Sequence, residues 1–164
     1  YNSCAVVESA VYSIFDLLYQ GYAQQRCVFL QKHRRISEYD SENLLYAVIE
    51  RVLMEPEFSA VTSAVHVSLV NLVKDYSLLN QEETAYARNP LTHIDFLLFR
   101  KMDKSPLLAI EVDGTAFHVA GSIQAVRDEK KNHILAQCGI PLLRLRTDGS
   151  DEKKQIEQAL RAAL

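Results

Sequence analysis

Apolar side chains recur at helical spacing over residues 4–22, at Val7, Val11, Ile14, Phe15, Leu18 and Tyr22, which predicts an N-terminal helix closed by Gly21. Tyr12, Tyr19 and Tyr22 of that helix either cover the core or form an interface. The stretch Gln31-Lys32-His33-Arg34-Arg35 reads as a basic linker or helix end. A second stripe, Leu45, Val48, Ile49, Val52 and Leu53, predicts a helix that Asp40-Ser41 caps, Glu42 opens and Pro56 ends. The pattern then changes period. Ala60–Val67 is valine-rich with partial alternation and predicts a strand, Leu69–Leu79 a short helix or irregular segment, and the polar Gln81–Pro90 a loop. His93–Phe99 and Leu107–Val112 predict two strands joined through Met102–Pro106 as a hairpin. Gly114 and Gly121 bracket a loop, Ser122 caps a helix over Ile123–Gln137 that Gly139 closes, Pro141–Leu145 predicts a strand, and Asp151–Ala163 predicts a terminal helix.

That order predicts an α/β fold. Three strands in a meander and a helical crossover to a fourth give a four-stranded mixed sheet flanked by helices, in the order αβββαβ, with an extra N-terminal helix. Helix 41–55 is expected on one face and helix 123–137 on the other. The chain divides into a helical extension over residues 1–39 and an α/β domain over 40–164.

Composition narrows the class. At 164 residues, 48% hydrophobic and 24% charged, the chain has the length and balance of a globular protein, and no apolar run reaches membrane-spanning length. Three cysteines without a Cys-x-x-Cys pair argue against a zinc ribbon or a disulfide framework and point to a reduced, intracellular (cytoplasmic) setting. The first residue is Tyr, which suggests a piece of a longer protein. The net charge of −3 does not advertise nucleic-acid binding, but its distribution is uneven: residues 1–90 carry 7 basic and 11 acidic side chains, residues 91–164 carry 11 and 10.

The candidate chemistry lies in that second half. Glu111 and Asp113 sit two apart in an apolar strand and so share a face, and Asp95 sits inside the neighbouring strand. Acids so placed are costly without a cation between them, and an oxygen-only set favours Mg²⁺ or Mn²⁺. His118, in the loop after Asp113, has the chemistry of a general base, metal ligand or phosphate contact. Arg127, Asp128, Lys130 and Lys131 lie close together on helix 123–137. Lys131, a turn beyond Asp128, can orient water or stabilise charge on a phosphate, unless this is simply a solvated charged face. Arg144 and Arg146 interleave with the apolar residues of the last strand.

Glu111-Val112-Asp113-Gly114-Thr115 resembles the Asp-x-Asp-Gly-Thr motif of haloacid-dehalogenase-like phosphatases. There the first acid is the Asp nucleophile and the motif opens a long doubly wound domain. Here that residue is Glu, and too little chain follows it.

Asp95, Glu111-x-Asp113-Gly114, His118 and Arg127-Asp128-x-x-Lys131, taken together, resemble the PD-(D/E)XK nuclease superfamily, in particular the very-short-patch-repair-endonuclease-like branch. Ile134-Leu135…Gly139-Ile140-Pro141-Leu142-Leu143-Arg144 and Ser41-Glu42 are similar to that branch as well. The whole chain looks like a nuclease-like domain at the C-terminus of superfamily 1 DNA helicases. The resemblance implies a restriction-endonuclease-like core and Mg²⁺- or Mn²⁺-dependent hydrolysis of DNA, with a helicase core in the same chain as a partner. It implies Asp95 and Glu111 as metal ligands, with Glu42 assisting. His118 matches the histidine after the Asp-Gly turn. Asp113 stands where the family usually has lysine, and Lys131 supplies the amine from the helix instead. Arg127, Lys130, Arg144 and Arg146 are the expected DNA contacts. A nuclease-fold module that binds DNA or docks a partner without cleaving is the alternative.

Overall fold

The computed structural model describes residues 2–32, 34–113, 123–146 and 151–164. The chain falls into two compact units, Tyr1–Leu44 and Leu45–Leu164.

In the first unit, α1 runs over Asn2–Lys32, 31 residues, so Gly21 does not end it as expected. A glycine inside a helix costs only about 1 kcal/mol, and the residues that follow (Tyr22, Ala23, Gln24, Gln25, Arg26) continue the helix without difficulty. Nothing lies within 4 Å of where a Gly21 side chain would stand. The helix ends within the basic stretch, at Lys32. Tyr12 and Tyr19 are about three-quarters exposed, at 75% and 72%. Beyond α1, the buried Asn43 side chain ties the approach to the next helix. Its Oδ1 accepts from the Ile36 and Ser37 amides at 2.8 and 3.3 Å, and its Nδ2 donates to the Ser37 and Tyr39 carbonyls at 2.8 and 2.7 Å.

Helix α2, Asp40–Leu53, carries the predicted stripe, and Leu45, Ile49 and Val52 are buried. The sheet of the second unit has the order β1-β2-β3-β4: β1 (Val61–Ser68), β2 (His93–Arg100), β3 (Pro106–Asp113) and β4 (Leu142–Arg146). The first two pairings are antiparallel and β3 pairs with β4 in parallel, which the crossover helix α4 (Ile123–Gln137) makes possible. This is the mixed α/β sheet the pattern predicts.

The faces also follow the pattern. Leu97 and Ala109 oppose each other in register and join the buried cluster with Ile134 and Leu135 of α4. Phe96, one residue out of phase, faces the other side, where the Tyr46 ring of α2 stacks on it at 6.5 Å. Helix α5, Glu152–Ala163, packs on β3 and β4 and buries Ile156 and Leu160. Gly139 closes α4 as expected: at φ +67 it donates to the Ala136 carbonyl at 3.0 Å, and the next amide, Ile140, donates to the Leu135 carbonyl at 2.9 Å.

Two segments differ from expectation or sharpen it. Leu69–Asn71 and Tyr76–Leu78 are single 3-10 turns. Gln81–Arg88, expected as a loop, is a helix, α3. Its start is fixed by a capping box: Asn80 Oδ1 accepts from the Glu83 amide at 2.9 Å, and Glu83 Oε2 accepts from the Asn80 amide at 3.0 Å. The Lys130–Glu82 ion pair at 2.7 Å and the contact between His133 Nδ1 and Glu83 Oε1 at 2.6 Å then join α3 to α4.

Candidate functional site

The site grows out of the point where the β2–β3 ladder stops. Pairing runs inward to Phe96 and Ile110. One step further, Asp95 and Glu111 face each other across the two strands. There the Asp95 carboxylate takes a ladder role itself, with Oδ2 accepting from the Val112 amide at 2.8 Å. An acid in that position stops the backbone pairing and turns its own charge toward Glu111.

Glu111 is 7% exposed. Lys131, projecting from α4, donates to Glu111 Oε2 at 2.8 Å, and both side chains are nearly out of solvent. The second carboxylate oxygen, Oε1, is buried without a hydrogen-bond partner. Burial pushes the Glu111 carboxyl up to about 7, and the charge of Asp95 adds to the rise. The Lys131 and Arg144 charges and the Lys131 hydrogen bond pull it down. An acid with one bare oxygen in a nearly dry site is an unsatisfied group.

The third acid is arranged differently. Arg144 of β4 donates to Asp113 Oδ1 at 2.8 Å, and its other nitrogen reaches Asn132 Oδ1 at 3.0 Å and Asp128 at 3.5 Å. Gln124 also donates to Asp128, at 3.1 Å. Asp113 and Asp128 thus share one guanidinium. Parallel pairing puts Arg144 opposite Glu111 and Arg146 opposite Asp113. Arg144 is therefore directed at the acids, whereas Arg146 and Arg127 are exposed. Lys130, expected to contact DNA, is paired with Glu82.

Of the residues expected at the site, Asp95, Glu111 and Lys131 come together, and Asp113 joins them through Arg144. Glu42 is buried in the first turn of α2, in the other unit. His118, Gly114, Gly121 and Ser122 lie outside the described residues. Tyr86 of α3 was not anticipated. Its ring packs on the buried cluster beneath α4, and the charges of Lys131, Glu111, Arg127 and Asp128 act on its hydroxyl, which burial pushes up. Its signal was the capping box that starts α3.

Among the described residues, no three His, Cys, Asp or Glu side chains stand close enough together to hold one metal ion. The donor chemistry nonetheless fits a hard divalent cation: the bare Glu111 Oε1 is an oxygen ligand, and the charge of Asp95 across the strands would be offset by the ion. No helix among the described residues is long and apolar enough to cross a membrane.

The fold is a mixed four-stranded α/β sheet in which Glu111 of β3 forms a buried pair with Lys131 of the crossover helix α4. Residues 36–164 match the family described as a protein of unknown function, DUF2726, and the chain belongs to that family. No curated protein and no solved structure has detectable similarity to it.

Proposed function

We propose that this chain is a metal-dependent deoxyribonuclease domain that hydrolyses DNA phosphodiesters, within a larger helicase-like DNA-processing protein, as the resemblance to the PD-(D/E)XK superfamily implies. The observation that carries the reading is the buried Glu111, with one oxygen on Lys131 and the other bare, opposite Asp95. Asp95 and Glu111 would hold Mg²⁺ or Mn²⁺, and Asp113 would become a further oxygen donor only on release from Arg144. Bound there, the ion would acidify water and neutralise phosphate charge.

The side chains supply the rest. Lys131 is the fixed cation next to the acids, placed to orient the attacking water and to stabilise negative charge that develops on a phosphate oxygen. Its pairing with Glu111 gives the helix-borne amine a partner that the usual lysine position, occupied here by Asp113, does not supply. Burial of Glu111 and Lys131 strengthens each of these electrostatic contacts.

A second reading, a nuclease-fold module that binds DNA or a partner without cutting, is favoured by one arrangement: Asp113 is held by Arg144 rather than left open to a cation. Titration calorimetry with Mn²⁺ separates the two. The nuclease reading predicts binding at millimolar Mn²⁺ or below that is lost in Glu111→Gln. An absence of Mn²⁺ binding by the unaltered chain refutes it and favours the module.

A further inference from the structure

A cleft opens between α4 and β4, next to the acids. Its volume is about 600 Å³, within the range of about 300–1,000 Å³ typical of sites that hold one small molecule. Two elements build it. On α4, Asn132 and Ala136 line it one turn apart, in the same row as Asp128, while Ile134 and Leu135 are buried in the core. On β4, Leu142 and Arg144 line it from the α4 side of the sheet. Their parallel partners Ala109 and Glu111 face that side too, Ala109 in the cluster with Ile134 and Leu135, Glu111 on Lys131. β4 is the last strand of the sheet among the described residues, so no described strand closes the cleft beyond it.

One end of the cleft is charged and the other apolar. At the charged end, Arg144 donates to Asp113 Oδ1 at 2.8 Å and to Asn132 Oδ1 at 3.0 Å. A guanidinium only donates, so Oδ1 is the Asn132 atom turned to it and the Nδ2 donors are left for another acceptor. No described residue accepts from them. At the apolar end the walls are Ala136, Ile140, Pro141 and Leu142, and Ala136 and Pro141 are exposed. A flat group with apolar faces and acceptor atoms on its edge complements this lining. The neighbouring guanidinium favours an anion attached to that group. A nucleobase on a phosphodiester strand has both properties.

We propose that this cleft seats one unstacked nucleobase of the DNA, next to the phosphate held at Asp95 and Glu111, and that the substrate is therefore single-stranded DNA. The proposal rests on the nuclease reading of the same face. The base edge accepts from Asn132 Nδ2, its faces lie against the Ala136 and Pro141 side chains, and its backbone phosphate lies toward Arg144. A base in a duplex must first leave its stack and its partner to enter, so a duplex binds more weakly.

The test is fluorescence anisotropy with the full chain in Ca²⁺, alongside thermal unfolding. Three fluorescein-labelled ligands of equal length are compared: a single strand, the same strand built of abasic sites, and a duplex. The intact single strand is expected to bind roughly five- to ten-fold more tightly than the abasic one, as one hydrogen bond and a buried apolar face would provide, and more tightly than the duplex. Ala136→Leu fills the cleft from an exposed helical position. It is expected to unfold at the same temperature and to bind the intact strand as weakly as the abasic one, with abasic binding unchanged. Asn132→Asp keeps the acceptor for Arg144 and loses the donors. It is expected to narrow the same gap, while its added charge weakens both strands alike. If the unaltered chain binds DNA but does not prefer the intact strand to the abasic one or to the duplex, this inference is wrong and the nuclease reading stands. The same holds if both variants keep the full gap, or if they weaken intact and abasic strands equally. If the unaltered chain neither binds nor cleaves DNA, the nuclease reading fails and takes this inference with it.

Discussion

Replacing Lys131 with Met removes the ammonium that favours ionised Glu111 while keeping much of the apolar stem that packs against the sheet. Glu111 ordinarily titrates at 4.5 and here at about 7. Holding it ionised above that range therefore costs the folded chain about 3 kcal/mol. The folded chain binds this proton more tightly than the unfolded one, so the contribution is fully present below the ordinary value and is lost as pH rises through about 7. Without Lys131 the carboxyl moves higher still. At acid pH Glu111 is protonated in both proteins and the missing ammonium matters little. At alkaline pH the variant must either bury an unpaired charge or take up a proton, and breaking a buried pair costs up to about 3–5 kcal/mol. Urea unfolding followed by circular dichroism should show a deficit under about 1 kcal/mol near pH 5.5 that grows to about 2–3 kcal/mol near pH 8.5. The double variant Lys131→Met/Glu111→Gln should remove the pH dependence of that deficit. A deficit of equal size at both pH values would trace to lost packing and rule out Glu111 ionisation as its source.

Other substitutions probe the parts that frame the site. Arg144→Gln frees Asp113 from its guanidinium, so Mn²⁺ affinity by calorimetry should rise several-fold if Arg144 is what withholds that acid; unchanged or weaker affinity would show that it is not. Asn80→Ala removes half of the capping box and should cost about 1 kcal/mol, with amide exchange accelerated through α3. Gly139→Ala meets open space but a φ of +67, so the loss should be that of backbone strain, about 1 kcal/mol and a drop of roughly 2–4 °C in Tm.

The strands and the crossover were readable because they rest on local signals. The apolar runs His93–Phe99 and Leu107–Val112, and the Gly139 stop, mark their elements without help from the rest of the chain. The faces followed from parity alone. The N-terminal helix is present as expected, and only its end at Gly21 is misplaced, because glycine weakens a helix by less than its good neighbours support it. α3 was missed for the opposite reason: Gln81–Arg88 has little apolar patterning, and its Asn80-x-x-Glu83 box is a stronger signal than its composition. At the site, the pairing of Lys131 with the acids could be anticipated from spacing on α4. The capture of Asp113 by Arg144 could not, because it depends on the parallel register that sets β4 beside β3.

If the face carrying Asp95, Glu111 and Lys131 cleaves DNA with a bound divalent cation, as proposed, the cleavage depends on those acids. Plasmid and single-stranded DNA incubated with the purified chain in Mg²⁺ or Mn²⁺, compared with Asp95→Asn and Glu111→Gln, tests it most directly. The expected result is cleavage that EDTA abolishes and that each variant lowers by at least about 100-fold, in line with the loss expected when the groups that hold and activate a metal site are removed. Cleavage that persists undiminished in both variants, or no cleavage by the unaltered chain at millimolar metal, would contradict it.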